Sequence, residues 1–349
     1  MSRAIDELVA LEPRQRLRAA LEDFPATSET IRNCLTLAID ARCSDTAEAV
    51  HWASLAVSLA RRLKDAERFD LLPLTLAILG NSKRCTGAFR EAERCFQQAW
   101  DSAARSRNAV HAELASLEAS LRTDLRHFGR AERLLRQALS FHQQQGDRHE
   151  AGKILIQLGN LEATDGNYEA ALQHLYSGLE LIDSKVDVRL TFIGMHLVAL
   201  WSIDTGALDR ARWLLDGLKE GYPIYGGTLG ETAYYWALGR VELAEDRLNE
   251  AASLLERIRQ DLAEKGTTID YGLLLLDLVE TYCKLGRTDL ARESAKKALS
   301  LTSKLGLCRE AAASALTLAG LEQQDLRVDF ATAIAALRAD LRQLPGTNV

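Results

Sequence analysis

Seven histidines and six cysteines are the residues of this 349-residue chain best suited to metal binding, acid–base work or nucleophilic attack. Each of those chemistries demands a spacing. The histidines stand at 51, 111, 127, 142, 149, 174 and 196. None forms the HExxH pair that puts two imidazoles on one helix face for zinc, and no serine or cysteine lies in an elbow motif beside one. His142 and His149 could meet across a helix joint, but no third ligand accompanies them. The cysteines, at 34, 43, 85, 95, 283 and 308, make no CxxC pair and no ligand spacing with histidine. They read as small buried thiols of a reducing compartment. "GYPIYGGTLG", residues 221 to 230, is rich in glycine but lacks the GK[ST] ending and the preceding strand of a phosphate loop. The pattern supports no catalytic residue, no metal, no cofactor and no small-molecule substrate.

The elements that carry these residues are helical by composition. Leu, Ala, Glu and Arg dominate, aromatics are 6% and prolines number five. The net charge of -6 is uneven: residues 1 to 150 hold 22 Lys+Arg against 21 Asp+Glu, so the acidity lies in the remainder. Neither part has the dense basic stripe that phosphate neutralisation requires, so nucleic acid is not an expected partner. The N-terminal stretch carries charges every few residues, unlike a signal peptide. No run approaches 18 apolar residues, so no membrane partner is expected and a cytoplasmic protein is.

A length of 349 residues exceeds what one ordinary core supports, which suggests two domains or an elongated repeat. Alanines at 92, 131, 171, 211, 251, 291 and 331 reveal a repeat of 39 and then 40 residues. Twelve before each stands a small residue in six cases of seven: Gly80, Ala119, Gly159, Ala199, Gly239 and Ala319, with Val279 the exception. Five before stand Gly87, Arg126, Gly166, Gly206, Asp246 and Gly286, at the turn. The residue preceding the small one is Leu79, Leu158, Val198, Leu238, Leu278 or Leu318, with Glu118 the exception. Apolar residues at helical spacing on both sides of a turn describe two antiparallel helices. A unit that cannot bury its own apolar face must stack on its neighbours. In this frame Gly159 permits close helix approach and Gly166 lets the chain turn.

"LTLAILGNSKRCTGAFREAERCFQQA" and "LIQLGNLEATDGNYEAALQHL" resemble the tetratricopeptide repeat family. Leu79, Gly80, Ala92, Phe96 and Ala99 hold the family positions in the first, and Leu158, Gly159, Ala171 and Leu175 in the second. The resemblance covers roughly residues 70 to 343. The period of 40 exceeds the usual 34 and the closing proline is absent, as in the long repeats of kinesin light chains and of bacterial transcriptional and peptide-responsive regulators. HEAT or armadillo repeats should show helix prolines in phase, and there are none. The resemblance implies an all-α, right-handed α-solenoid of about eight antiparallel helix pairs. Residues 1–28 are assigned to a capping helix, 29–345 to the solenoid and 346–349 to a disordered tail. Asp147, Asp187 and Thr267 or Thr268 read as helix N-caps, and Pro73 as a first-turn proline. Because Ala211 to Ala251 is still 40, the helix before the joint at 219–231 must end early.

In the resembled family the first helices line a concave face, and the residue after the small position points into it. That implies a groove of Asn81, Arg84, Ser120, Lys153, Asn160, His196 and Arg240, with Trp236 in phase with His196. Such a groove suits an acidic or extended segment of a partner protein. The lysine-rich carboxylate clamp of some members is unmatched, its positions being Ala77, Ser116, Ile156 and His196. Tyr222 and Tyr225 of the 219–231 joint either present an apolar knob to a partner or pack over the solenoid edge. The other tryptophans fall mostly at apolar phases and read as core. The expected function is that of a non-catalytic adaptor or regulator, with a peptide-responsive sensor acting on a separate effector as the alternative.

Overall fold

The computed structural model describes residues 8–9, 11, 15–16, 19, 26–42, 45–64, 66–225, 230–264 and 269–305. Most of the expected capping helix, the end of the expected solenoid from 306 onward, the tail, and Thr267 and Thr268 lie outside the described residues. Among the described residues, fourteen helices of more than one turn form seven sequential pairs. They are α1 (Ser28–Ala41) and α2 (Thr46–Ala60), α3 (Ala66–Cys85) and α4 (Phe89–Ser102), α5 (Asn108–Asp124) and α6 (Phe128–Gln145), α7 (Arg148–Asp165) and α8 (Tyr168–Leu181), α9 (Val188–Asp204) and α10 (Leu208–Leu218), α11 (Glu231–Ala244) and α12 (Leu248–Glu264), α13 (Ile269–Lys284) and α14 (Thr288–Leu305). Odd-numbered helices are therefore the first of each pair. They also pack on one another: α1 on α3, α3 on α5, α9 on α11 and α11 on α13.

The repeat frame maps onto this packing. The marker alanines 92, 131, 171, 211, 251 and 291 are all fully buried. Four residues on, Phe96, Leu135, Leu175, Leu215, Leu255 and Ala295 are buried with them. The small residues twelve before the markers sit where helices touch. A Cβ on Gly80 would lie 3.1 Å from the Phe96 ring, and one on Gly239 would lie 2.9 Å from Leu255.

The turns are one device used six times. Gly87, Arg126, Gly166, Gly206, Asp246 and Gly286 all have positive φ. The next amide donates to the carbonyl five residues back: Ala88 to Lys83, His127 to Arg122, Asn167 to Glu162, Ala207 to Ser202, Arg247 to Glu242 and Arg287 to Tyr282, at 2.8–3.0 Å. That left-handed cap with a 6→1 bond is the Schellman arrangement, which satisfies carbonyls a helix end would leave orphaned. At the starts, Thr27, Asp45 and Asp147 accept amide hydrogens of Thr30, Glu48 and Glu150.

Pro73 is not in a first turn; it lies inside α3, which begins at Ala66. Proline cannot donate to the carbonyl four residues back, here Phe69. The Ser106 hydroxyl, from the loop after α4, donates to that carbonyl instead. The same loop lays Arg105 over the Phe69 ring, 4.1 Å from its centroid, and pairs Arg107 with Asp70.

The chain divides into two compact units: residues up to 161 with 177–187, and 162–176 with those from 188 onward. In the first, Ala119, Ala131, Leu135, Ile154 and Leu158 belong to one buried cluster. In the second, Phe192, Leu215, Tyr222, Tyr234 and Val241 form another.

Candidate functional site

In the first unit Asn81 and Arg84 stand together at the C-terminal end of α3, beside the end of α5. Asn81 is only 4% exposed, and its Oδ1 accepts from Arg84 Nε at 2.8 Å. Arg84 Nη1 reaches Asp124 Oδ2 of α5 at 2.6 Å. Ser120 is half-buried on α5 and Asn160 half-buried on α7. Lys153 is turned onto Glu150 at 2.6 Å, one helical turn away. Asn81 is therefore a support for Arg84 more than an open amide.

The second unit holds the denser cluster, built from α9, α11 and α13. Arg240 Nη2 meets both oxygens of Asp204, at 3.0 and 2.9 Å. Trp236, one turn earlier on α11, donates its indole N–H to Asp277 of α13 at 2.6 Å. Burial lifts the Asp277 carboxyl to about 6, against the opposing pull of Arg240 and the Trp236 hydrogen bond. Burial also depresses His196 to about 4, and the Arg240 charge adds to that. Arg240 itself loses hydration, but Asp204 and Asp277 hold it firmly charged. One guanidinium bonded to one carboxylate and attracted by a second, edged by an indole, brings donors and acceptors together.

One expectation is modified and one pair of alternatives is decided. A groove of free cations for an acidic segment is not what the side chains form, because Arg84, Lys153 and Arg240 each already meet a carboxylate. Nor is Tyr222 an exposed anchor: it is 1% exposed, with its hydroxyl 2.7 Å from His196 Nδ1. The cause is local. Helix α10 stops after 11 residues, as the unchanged repeat length requires, and Lys219–Gly221 forms a 3₁₀ turn. Gly221 lies so close under Phe192 that a Cβ would sit 2.7 Å from the ring. The chain then turns Tyr222 inward among Phe192, His196 and Tyr234. Tyr225 packs beside Phe192 at 5.7 Å, while Pro223 and Ile224 are exposed, Ile224 at 71%.

The described histidines and cysteines stand apart from these clusters, His196 excepted. His142 pairs with Asp147 and His149 with Asp187. Among the described residues no group of three or more His, Cys, Asp or Glu could hold a metal, and Cys34, Cys85, Cys95 and Cys283 are free thiols. No helix among them is long and apolar enough to cross a membrane.

No family model matches the chain, and no curated protein matches it in sequence. Solved structures do match in fold. A Rap protein complexed with Competence and Sporulation Factor is similar over 90% of this chain and 94% of its own, with 12% identity and a TM-score of 0.68. The apo form of the quorum sensor NprR from B. thuringiensis matches over 90% and 99%, with 11% identity and a TM-score of 0.56. A signal-transduction ATPase from Pyrococcus horikoshii with a tetratricopeptide repeat sensor matches over 97% of this chain and 52% of its own, with 15% identity and a TM-score of 0.54. The fold is the tetratricopeptide-repeat solenoid.

Within that tetratricopeptide-repeat frame, the residues that sequence reasoning missed are the acids: Asp124, Asp204 and Asp277. A signal for the first two was present. Asp124 and Asp204 both lie four residues after a predicted facing position, Ser120 and Leu200, at the end of a first helix. There they meet arginines 40 and 36 residues away, one neighbouring repeat off.

Proposed function

We propose that this protein is a non-catalytic interaction scaffold, a regulatory adaptor that holds a segment of a partner protein against its first-helix face. The observation that carries this reading is the Asp204–Arg240–Asp277–Trp236 cluster. It draws polar groups from three successive first helices into partly desolvated surroundings. Groups held at fixed spacing and stripped of some water give a partner more than flexible surface charges would. Because the cluster carries donors and acceptors together, an extended segment with backbone and side-chain groups of both kinds suits it better than a purely acidic one.

The test is affinity capture from the source lysate with the native chain and with an Arg240→Gln, Asp277→Asn variant, both checked for the same melting temperature. A polypeptide captured by the native chain and lost by the variant is the expected result. Equal capture by both would count against the first-helix face of the second unit.

A second reading is a peptide-responsive sensor acting on a separate effector protein. Its support is the fold likeness to a quorum sensor and to a Rap protein complexed with a factor. A shift in melting temperature and in scattering profile with a short peptide is expected on this reading, and unchanged values across a panel would remove it.

A further inference from the structure

Trp213 is 74% exposed, on the face of α10 turned away from the protein interior. The repeat frame explains why it stands there. It lies two residues after marker Ala211, a position held elsewhere by Arg94, Arg133, Gln173, Ser253 and Glu293. Of the seven units five use a polar residue there, the last has Ala333, and one uses the largest aromatic. This is also where the expectation of a core tryptophan fails.

The surroundings of the indole are specific. Asp209 and Asp216 lie four before and three after it, and Glu220 follows seven after it in the 3₁₀ turn that continues the helix. That i−4, i, i+3, i+7 spacing is a single helix stripe. All three carboxylates are exposed, and no ion pair joins them to any described residue. The nearby cations are committed elsewhere. Arg210 donates to the Tyr176 hydroxyl at 2.7 Å and lies against that ring, Arg212 pairs with Glu242 and Glu245, and Lys219 sits 6.0 Å from the Tyr234 ring. What remains outward is a bare aromatic face bracketed by unpaired negative charge. Its complement is a cation on an apolar stem, which an arginine or lysine side chain provides through cation–π contact and ion pairing together.

We propose that the Asp209–Trp213–Asp216–Glu220 stripe is a second docking surface, distinct from the first-helix face, which takes an arginine- or lysine-bearing segment of a partner protein. Trp213 is the anchor, since an exposed tryptophan at the centre of a patch is the residue type that most often dominates binding.

The experiment uses the full chain labelled with 15N at its tryptophan indoles, the Trp213 signal being assigned from a Trp213→Phe variant. It is titrated with three eight-residue peptides of alternating leucine with arginine, with serine or with glutamate. The expected result is a saturable shift of the Trp213 signal with the arginine peptide alone. An Asp209→Asn, Asp216→Asn variant with unchanged circular dichroism should bind about tenfold more weakly. Equal shifts with the serine peptide, unchanged affinity in the variant, a shift confined to Trp236, or no shift at all would each overturn the assignment. A Trp213 shift that depends on protein concentration without peptide would make the occupant a second copy of this chain, and would overturn it too.

Discussion

Glu118 occupies a position that other repeats fill with leucine or valine, and it is 1% exposed. A carboxylate can be buried so deeply only if its charge and lone pairs are met. Trp100 donates to one oxygen at 2.6 Å, while Arg122 and Arg130 reach the other at 2.8 Å. Replacing Glu118 with alanine leaves the buried Arg122 short of a partner and should cost about 3 kcal/mol in urea unfolding. A loss below about 1 kcal/mol would mean that water takes over the role. His196 and Asp277 act on stability through protons. With His196 held near 4 instead of 6.5, the unfolded chain takes up a proton the native chain refuses as pH falls across that window, so acidification costs stability. With Asp277 raised from 3.8 to about 6, the native chain takes the proton first, so acidification between those values adds stability. The two contributions oppose each other. Asp277→Asn should therefore make stability fall more steeply from pH 6 to 4, and His196→Gln should make it rise relative to wild type, each by roughly 1 kcal/mol per pH unit at most. Parallel pH profiles for all three proteins would contradict this.

Helix α3 shows how an element tolerates a local defect. Pro73 leaves the Phe69 carbonyl without its amide donor, and Ser106 supplies a hydroxyl from the next joint. In a double-mutant cycle, Ser106→Ala should cost about 1 kcal/mol beside Pro73 and markedly less beside Pro73→Ala, where an amide is restored. Additive effects would show that the hydroxyl and the proline are unrelated. The turns offer a second check. Arg126 adopts φ 63° where four sister turns use glycine. Left-handed backbone disfavours a residue with a Cβ, so Arg126→Gly should raise stability by about 1 kcal/mol. Asp246, whose residue type tolerates that region better, should gain less. Joints between pairs also reuse one geometry with exchanged charges. Arg122 meets Glu93 of the preceding pair, and Glu242, three repeats later, meets Arg212 of its own preceding pair.

Across the whole molecule, most of the architecture was legible because the repeat imposes the same packing demand at fixed intervals. Ala92 to Ala291 marked the buried seam, and the residues five before them marked the left-handed turns, even where arginine or aspartate stood in place of glycine. Pro73 was misplaced, and the two readings of Tyr222 stayed open, for a common physical reason. Each is governed by a partner distant in sequence, Ser106 in one case and the Phe192–His196 pocket in the other, which periodicity does not encode. Of the candidate site, the arginines were legible from phase, whereas their aspartates were visible only once neighbouring helices were side by side. Trp213 was read as core along with the other tryptophans, although its own phase, two residues after the marker, is held mostly by polar residues in the other units.

The central claim, a partner segment on the first-helix face, is tested most directly by placing a photo-crosslinking side chain at Ser120, at Glu280 and, on a second helix, at Arg133, and irradiating each variant in the source cells. The account predicts one polypeptide crosslinked from Ser120 or Glu280 and absent from Arg133. Crosslinking from Arg133 alone, or from none of the three, would contradict it.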